Sequence, residues 1–545
     1  MKDHDTKSHS SIGRYLVDVE AALADLGQRD VVGRIWQKDH TVWSPDPAEI
    51  TNRLGWLTIT DLMGEQIPAL QSFAQEVQDT GFRHVVLLGM GGSSLGPEVL
   101  RQTFGSAKGY PELIVLDSTV PAWVQAVTEA IDPAHTLFLI SSKSGTTTEP
   151  LSLFQYFRNL VESAVGRERA GQNFVAVTDP GTALAKLAEE EKFRHIFLNP
   201  PDIGGRYSVL SYFGLVPATL IGVDLAMLLN RADSMRRECA SLVPVHKNPG
   251  AWLGACIGTL ALRRRDKLTL VTSPSISGFG LWVEQLIAES TGKNGKGIIP
   301  IVGEPLVNPA HYGDDRLFVC LRLNGDDNAT IDAALERIKS SGQPVVTLEL
   351  RDRYDLGVEF FRWEFATAVA GVILSINPFN QPNVQKAKEA TERLLQEYMT
   401  SGYLPQAEAA VSLADLLAEA GKDKYLAIMA YIHQTPEVDK VLADFRRKVV
   451  ERHGIATTLG YGPRFLHSTG QLHKGGPNTG LFLQITTGHE KELLIPSKPY
   501  TFGVVADAQA LGDFQALQSS GRRVTRIHFS RVNAAAISKL ISEVA

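Results

Sequence analysis

The chain has 545 residues, too many for one hydrophobic core, so two to four packed units are expected. Hydrophobic residues at 44% and charged residues at 21% exclude wholesale disorder and a coiled coil. With 54 Lys and Arg against 60 Asp and Glu, the net charge of −6 leaves no basic footprint for nucleic acid or an anionic membrane.

The polar start, MKDHDTKSHSSIG, lacks a signal peptide's apolar stretch, and no run of about 18 apolar residues follows. Cys239, Cys256 and Cys320 lie far apart with no CxxC pair, as in a reducing compartment, so a cytoplasmic protein is expected. Residues 14–38 place Leu16, Val19, Ala22 and Leu23 at helical spacing, with Trp36 and Trp43 flanking the next turn; residues 1–75 are assigned to a helical lead-in.

From residue 82, short apolar runs alternate with helical stretches: His84–Gly89, Glu112–Asp117, Thr136–Ser141, Asn173–Thr178 and His195–Leu198. Runs that are apolar throughout suit parallel strands buried on both faces, and intervening segments such as Pro121–Ile131 and Leu151–Val165 are long enough for crossover helices. A first doubly wound α/β domain is therefore assigned to 76–240. A mostly helical span over 207–265 precedes strands at Leu268–Ser273, Leu317–Leu323 and Pro344–Leu350. Further strands are expected at Tyr425–Ile432, Ile455–Gly460, Leu481–Thr487 and Thr525–Ser530. All of these are assigned to a second α/β domain over 241–545, with an extension from about 400 that either completes the second sheet or forms a third layer.

Two loops carry chemistry. VVLLGMGGSSLGPEVL (85–100) reads as strand, glycine-rich turn and helix, a place where backbone N–H groups approach an anionic ligand. A dinucleotide fingerprint is its rival, with Asp117 at the ribose position, but Ser94 stands where the last glycine of GxGxxG belongs. In LFLISSKSGTTTEPL (137–151), Ser142, Ser144, Thr146, Thr147 and Thr148 put five hydroxyls in seven residues between a strand and a helix. A helix cap needs one; five point to a phosphate held by hydroxyls and amides, and no P-loop signature occurs in the chain.

Three later blocks complete a set: GGRYSVLS (204–211), WVEQLIAESTGKNGKG (282–297) and INPFNQPNVQKAK (376–388). With GMGGSSLGP and SSKSGTTTEP they resemble, in family order, the glucose-6-phosphate isomerase family and its sugar-isomerase fold. RIWQKDHTVW and the region 400–545 make the chain most similar to the isomerase half of bacterial transaldolase/glucose-6-phosphate isomerase fusions, with no transaldolase-like half ahead of it. The resemblance implies an aldose–ketose isomerase acting on glucose 6-phosphate and fructose 6-phosphate, without metal or cofactor, and a homodimer in which one subunit lends a residue to the other's site. A non-catalytic sugar-phosphate regulator and an NAD(P)-dependent dehydrogenase are the competing readings.

On the residues alone, Glu284 and Glu289 read as ordinary surface acids; the resemblance makes Glu289 the base that moves a proton between two carbons. It gives Arg206 the developing enediolate charge and Lys388, seven residues after Gln381, a part in ring opening. Substrate contacts are expected from Gly92, Ser93, Ser142, Lys143, Ser144, Thr146, Thr147, Gln285 and Gln381. Ser208 and Ser211 read as loop and helix cap. The family's histidine lies between the Glu and Lys motifs, where this chain has only His311; HSTGQLHKGGPNTG (467–480) favours His473, with His467 the near alternative.

Overall fold

The computed structural model describes residues 10–407 and 411–544, so the first nine residues of the polar start lie outside it. Three parallel sheets form the frame. The first contains β1 (His84–Gly89), β2 (Glu112–Leu116), β3 (Thr136–Ser141), β4 (Phe174–Thr178) and β5 (His195–Leu198), in the order β2-β1-β3-β4-β5. The second contains β6 (Lys267–Thr272), β7 (Ile299–Ile301), β8 (Arg316–Leu323) and β9 (Val345–Leu350), in the order β7-β6-β8-β9. The third contains β10 (Tyr425–Tyr431), β11 (Ala456–Tyr461), β12 (Gly480–Thr487) and β13 (Arg523–Phe529), in the order β11-β10-β12-β13.

The α/β class is as expected, and of the two alternatives for the strands after residue 400 the second holds: they do not complete the second sheet but form one of their own. β10 pairs with β11 and β12, while the free flank of β9 is bridged by Ser11. Apolar runs show that strands are buried without showing which strands pair. All three sheets repeat one pattern in which the first strand lies between the second and third. Each therefore has a crevice at the carboxyl ends of its first and third strands, where the chain's winding reverses.

Successive residues of β1 feed two cores, since side chains alternate across a strand. Val85 and Leu87 join the core shared with the lead-in and the second unit. Val86 and Leu88 join Leu394, Leu395, Phe502 and Val505 on the other face. The lead-in helix Leu16–Gln28 buries Val19, Leu23 and Leu26 but leaves Leu16 exposed. Trp36 and Trp43 anchor the lead-in by donating to the carbonyls of Cys239 and Ala368 at 2.7 and 2.8 Å.

Candidate active site

Both chemistry-bearing loops leave the crevice of the first sheet, one after β1 and one after β3. The turn Met90–Gly91 enters the helix Gly92–Phe104 with Gly91 at φ +56°. A Cβ on Gly91 would lie 2.7 Å from the His467 carbonyl oxygen, and one on Gly92 would lie 1.9 Å from that of Gly205. Only glycine lets this turn touch both the arginine loop and the chain around His467.

After β3, Thr147 occupies the N-cap position of the helix Thr148–Val165, yet its hydroxyl does not cap. It bonds Ser142 Oγ at 2.9 Å, while Ser144 Oγ bonds Thr146 Oγ1 at 3.1 Å. The first-turn amides keep no side-chain acceptor from Thr147, and an anion is the group they would accept. Lys143 Nζ is held at the rim by Asp179 and, at 3.0 Å, by the Pro201 carbonyl.

Glu289 and Gln285 lie one turn apart on the helix Phe279–Thr291, which is buried along almost its whole length. Glu284 and Glu289 are both buried rather than surface acids. Arg206 Nη1 stands 3.2 Å from Glu289 Oε2, and Gln285 Nε2 stands 3.3 Å from the same oxygen. The arginine is fixed by Ser290 Oγ, Gln381 Oε1 and the carbonyls of Pro378 and Asn380, all within 3.0 Å. Lys293, four residues after Glu289, grips the same segment through the carbonyls of Asn377 and Asn380. Burial, then the charge of Arg206, pushes its ammonium well below the usual lysine range. Ser211 caps the helix Tyr212–Leu220, as expected, and Ser208 bonds its own loop.

A cleft of about 520 Å³ is lined by Gly92, Ser93, Lys143, Ser144, Thr147, Arg206, Gln285, Glu289, Gln381, Lys388 and His467. An adjoining one of about 300 Å³ adds Thr146 and Glu149 and shares Ser144, Thr147, Glu289, Gln381, Lys388 and His467. Ser142 is buried behind the loop and reaches the site through Thr147. A separate cavity of about 730 Å³ lies at the crevice of the third sheet and holds none of the expected residues.

The histidine preference does not survive the geometry. His473 is buried between the rings of Phe465 and Phe482, away from the cleft. Burial, then Lys474 and Arg522, pushes its imidazole well below the ordinary range, so it stays neutral. The helix Gly470–Gly475 turns its side chain inward; glycine-rich surroundings mark a tight turn there, not exposure. His311 lies in the short turn Pro309–His311, outside both clefts. His467 is the histidine that lines them.

Nε2 of His467 is 2.9 Å from Glu149 Oε1, an oxygen that also accepts from Gln509 Nε2 at 2.7 Å. Burial alone would raise the Glu149 carboxyl, but His467 and then Lys388 hold it below its usual value. Glu149 escaped the sequence reading because TTTEP reads as a loop and a helix start; its signal was an acid in a buried first turn. Asp117, needed by the dinucleotide reading at the ribose, is fully buried and bonded to Arg464 at 2.8 Å.

Comparisons with known proteins point to one family. The family model for phosphoglucose isomerase matches residues 66–298. The glucose-6-phosphate isomerase of Lactobacillus helveticus is 30% identical over 380 residues, which cover 61% of this chain and 84% of that one. The chain belongs to the phosphoglucose isomerase family. The glucose-6-phosphate isomerase of Staphylococcus saprophyticus is 29% identical, over 68% of this chain and 91% of its own. Among solved structures, a hypothetical protein from Thermus thermophilus superposes with a TM-score of 0.59 at 25% identity, over 70% of this chain and 98% of that one. A glucose-6-phosphate isomerase from Chlamydia trachomatis, at 18% identity and a TM-score of 0.57 over 70% of this chain and 86% of that one, shares the fold.

Proposed function

We propose that this chain interconverts glucose 6-phosphate and fructose 6-phosphate by proton transfer through an enediolate. The observation that carries the reading is the convergence of Glu289, Arg206, Lys388, His467 and the hydroxyl loop on one cleft. The loop 142–148 and the helix start behind it hold the phosphate. His467, backed by Glu149, and Lys388 supply the proton acceptor and donor for ring opening: the C1 hydroxyl loses its proton, the ring oxygen gains one, and the C1–O bond breaks. With Nε2 against Glu149, Nδ1 is the ring nitrogen left to face substrate.

Glu289 then takes the C2 proton of the open-chain aldose. The C–H electron pair becomes the C1–C2 double bond, and the carbonyl pair moves to O1 next to Arg206. A proton passes between the two enediolate oxygens, and Glu289 returns its proton to C1, leaving the ketone at C2. No step draws on a metal. A coupled assay with fructose 6-phosphate and no added metal tests this. Glu289→Gln is expected to lower kcat by at least about 100-fold with little change in KM, and undiminished turnover would overturn the assignment.

The match to the fusion-type isomerase half, drawn from RIWQKDHTVW and the region beyond 400, is part of this proposal. So is a cytoplasmic setting, supported by three buried free cysteines and by the lack, among the described residues, of a helix long and apolar enough to cross a membrane.

A further inference from the structure

The residues of the cleft come from two separate stretches of chain. The hydroxyl loop, Arg206, Glu289 and Lys388 precede residue 400, while His467 belongs to the turn after β11, in the third unit. That unit also sends Gln509, from the helix Phe502–Ser519, into the site. Gln509 Nε2 donates to Glu149 Oε1 at 2.7 Å, and its Oε1 accepts from Thr119 Oγ1 of the first unit at 2.7 Å. All three side chains are buried, so the links operate in a water-poor setting.

The third unit is not loosely tethered. Lys388 lies on the helix Gln385–Ser401, which packs along Phe502–Ser519 so closely that a Cβ on Gly512 would come 2.8 Å from Thr391 Oγ1. Leu394, Leu395, Phe502 and Val505 share one core with β1 of the first sheet. Arg446 donates to the carbonyls of Val302 and Gly303 in the second unit, and Lys267 donates to that of Asp423. The helix that carries Lys388 thus leads straight into the unit that carries His467, and both seat on the same sheet.

We propose that the third α/β unit completes the catalytic site within its own chain: it supplies His467, and Gln509 is a positioning residue that fixes Glu149 behind that histidine. The site then needs no histidine from another copy. The proposal rests on the isomerase reading given above.

Co-expression of Glu289→Gln chains with His467→Ala chains, under two tags, separates the alternatives. The expected result is activity no higher than the sum of the two variants alone. If His467 came from a second copy, mixed dimers would rebuild one intact site and recover about a quarter of wild-type activity, which would overturn the proposal. Repeating the mixture with His467→Gln guards against a folding defect in the alanine variant, and recovery with either overturns it. Full activity in Glu289→Gln alone would instead remove the isomerase reading and leave this result distinguishable from it.

For Gln509, the readout is the pH profile of kcat/KM. Glu149 is faced by His467, by Lys388 and by the Tyr431 phenol from β10. Gln509→Leu removes one donor to the ionised carboxyl, so the acidic limb is expected to move to higher pH. An unchanged profile would strip Gln509 of the positioning role.

Discussion

Two histidines six residues apart meet opposite fates, and the difference is one of direction. His467 closes the short turn Arg464–His467 and faces Glu149 across the cleft; His473 points back between two phenylalanines. His467→Ala is expected to lower kcat on the cyclic sugar phosphate by about 100-fold or more. His473→Phe fills the same apolar slot and is expected to leave kcat and KM near wild type. Inactivation by His473→Phe in a protein of unchanged Tm would contradict this placement. The glycine-rich segment around His473 was a poor guide because helical rotation changes which side chain faces the site while barely changing the sequence distance. Glu289 was legible only through its motif: nothing in an isolated helix announces that a carboxylate three residues from a glycine turn will be buried.

At the scale of elements, the strands were legible and their grouping was not. β1 and β3 run over the expected residues, because a strand buried on both faces has no polar interruption to blur its ends; β5, an edge strand with His195 and Leu198 exposed, also matches and is bounded instead by the turns on either side. β7, only three residues long, carries too few side chains for a pattern and went unseen. The hydroxyl loop was legible by composition, and the structure adds that its hydroxyls bond one another instead of capping the helix behind them. Replacing Ser144 and Thr147 together by Ala is therefore expected to raise KM for fructose 6-phosphate about tenfold, with a smaller effect on kcat. Steady-state kinetics decide it, and an unchanged KM would make the loop structural. On the proposed reading, a chain of net charge −6 holds a phosphate in this way without a basic surface.

For the whole molecule, burial of acids at the unit boundaries ties stability to pH. Glu284 is buried on the helix that carries Glu289; burial raises its carboxyl from 4.5 to about 7, against the opposing charges of Arg446 and Arg464. Above pH 4.5 the unfolded chain releases this proton while the folded one keeps it. The stability it contributes is thus complete below 4.5 and is lost as pH rises through about 7. Glu284→Gln, which cannot ionise, is expected to flatten the fall of Tm between pH 5 and 8 relative to wild type, as read by thermal melts. A parallel fall in both proteins would refute it.

Each sheet pairs strands from one continuous stretch of chain, 84–198, 267–350 and 425–529. The bond between His467 and Glu149 joins residues 318 apart, and that between Arg206 and Gln381 joins residues 175 apart. Regular structure has short loops to close, whereas the cleft waits for the units to dock. On dilution from denaturant, far-UV ellipticity should return first and turnover should lag behind it. The enzyme's own activity then becomes a clock for the last assembly step, one that ellipticity alone cannot see.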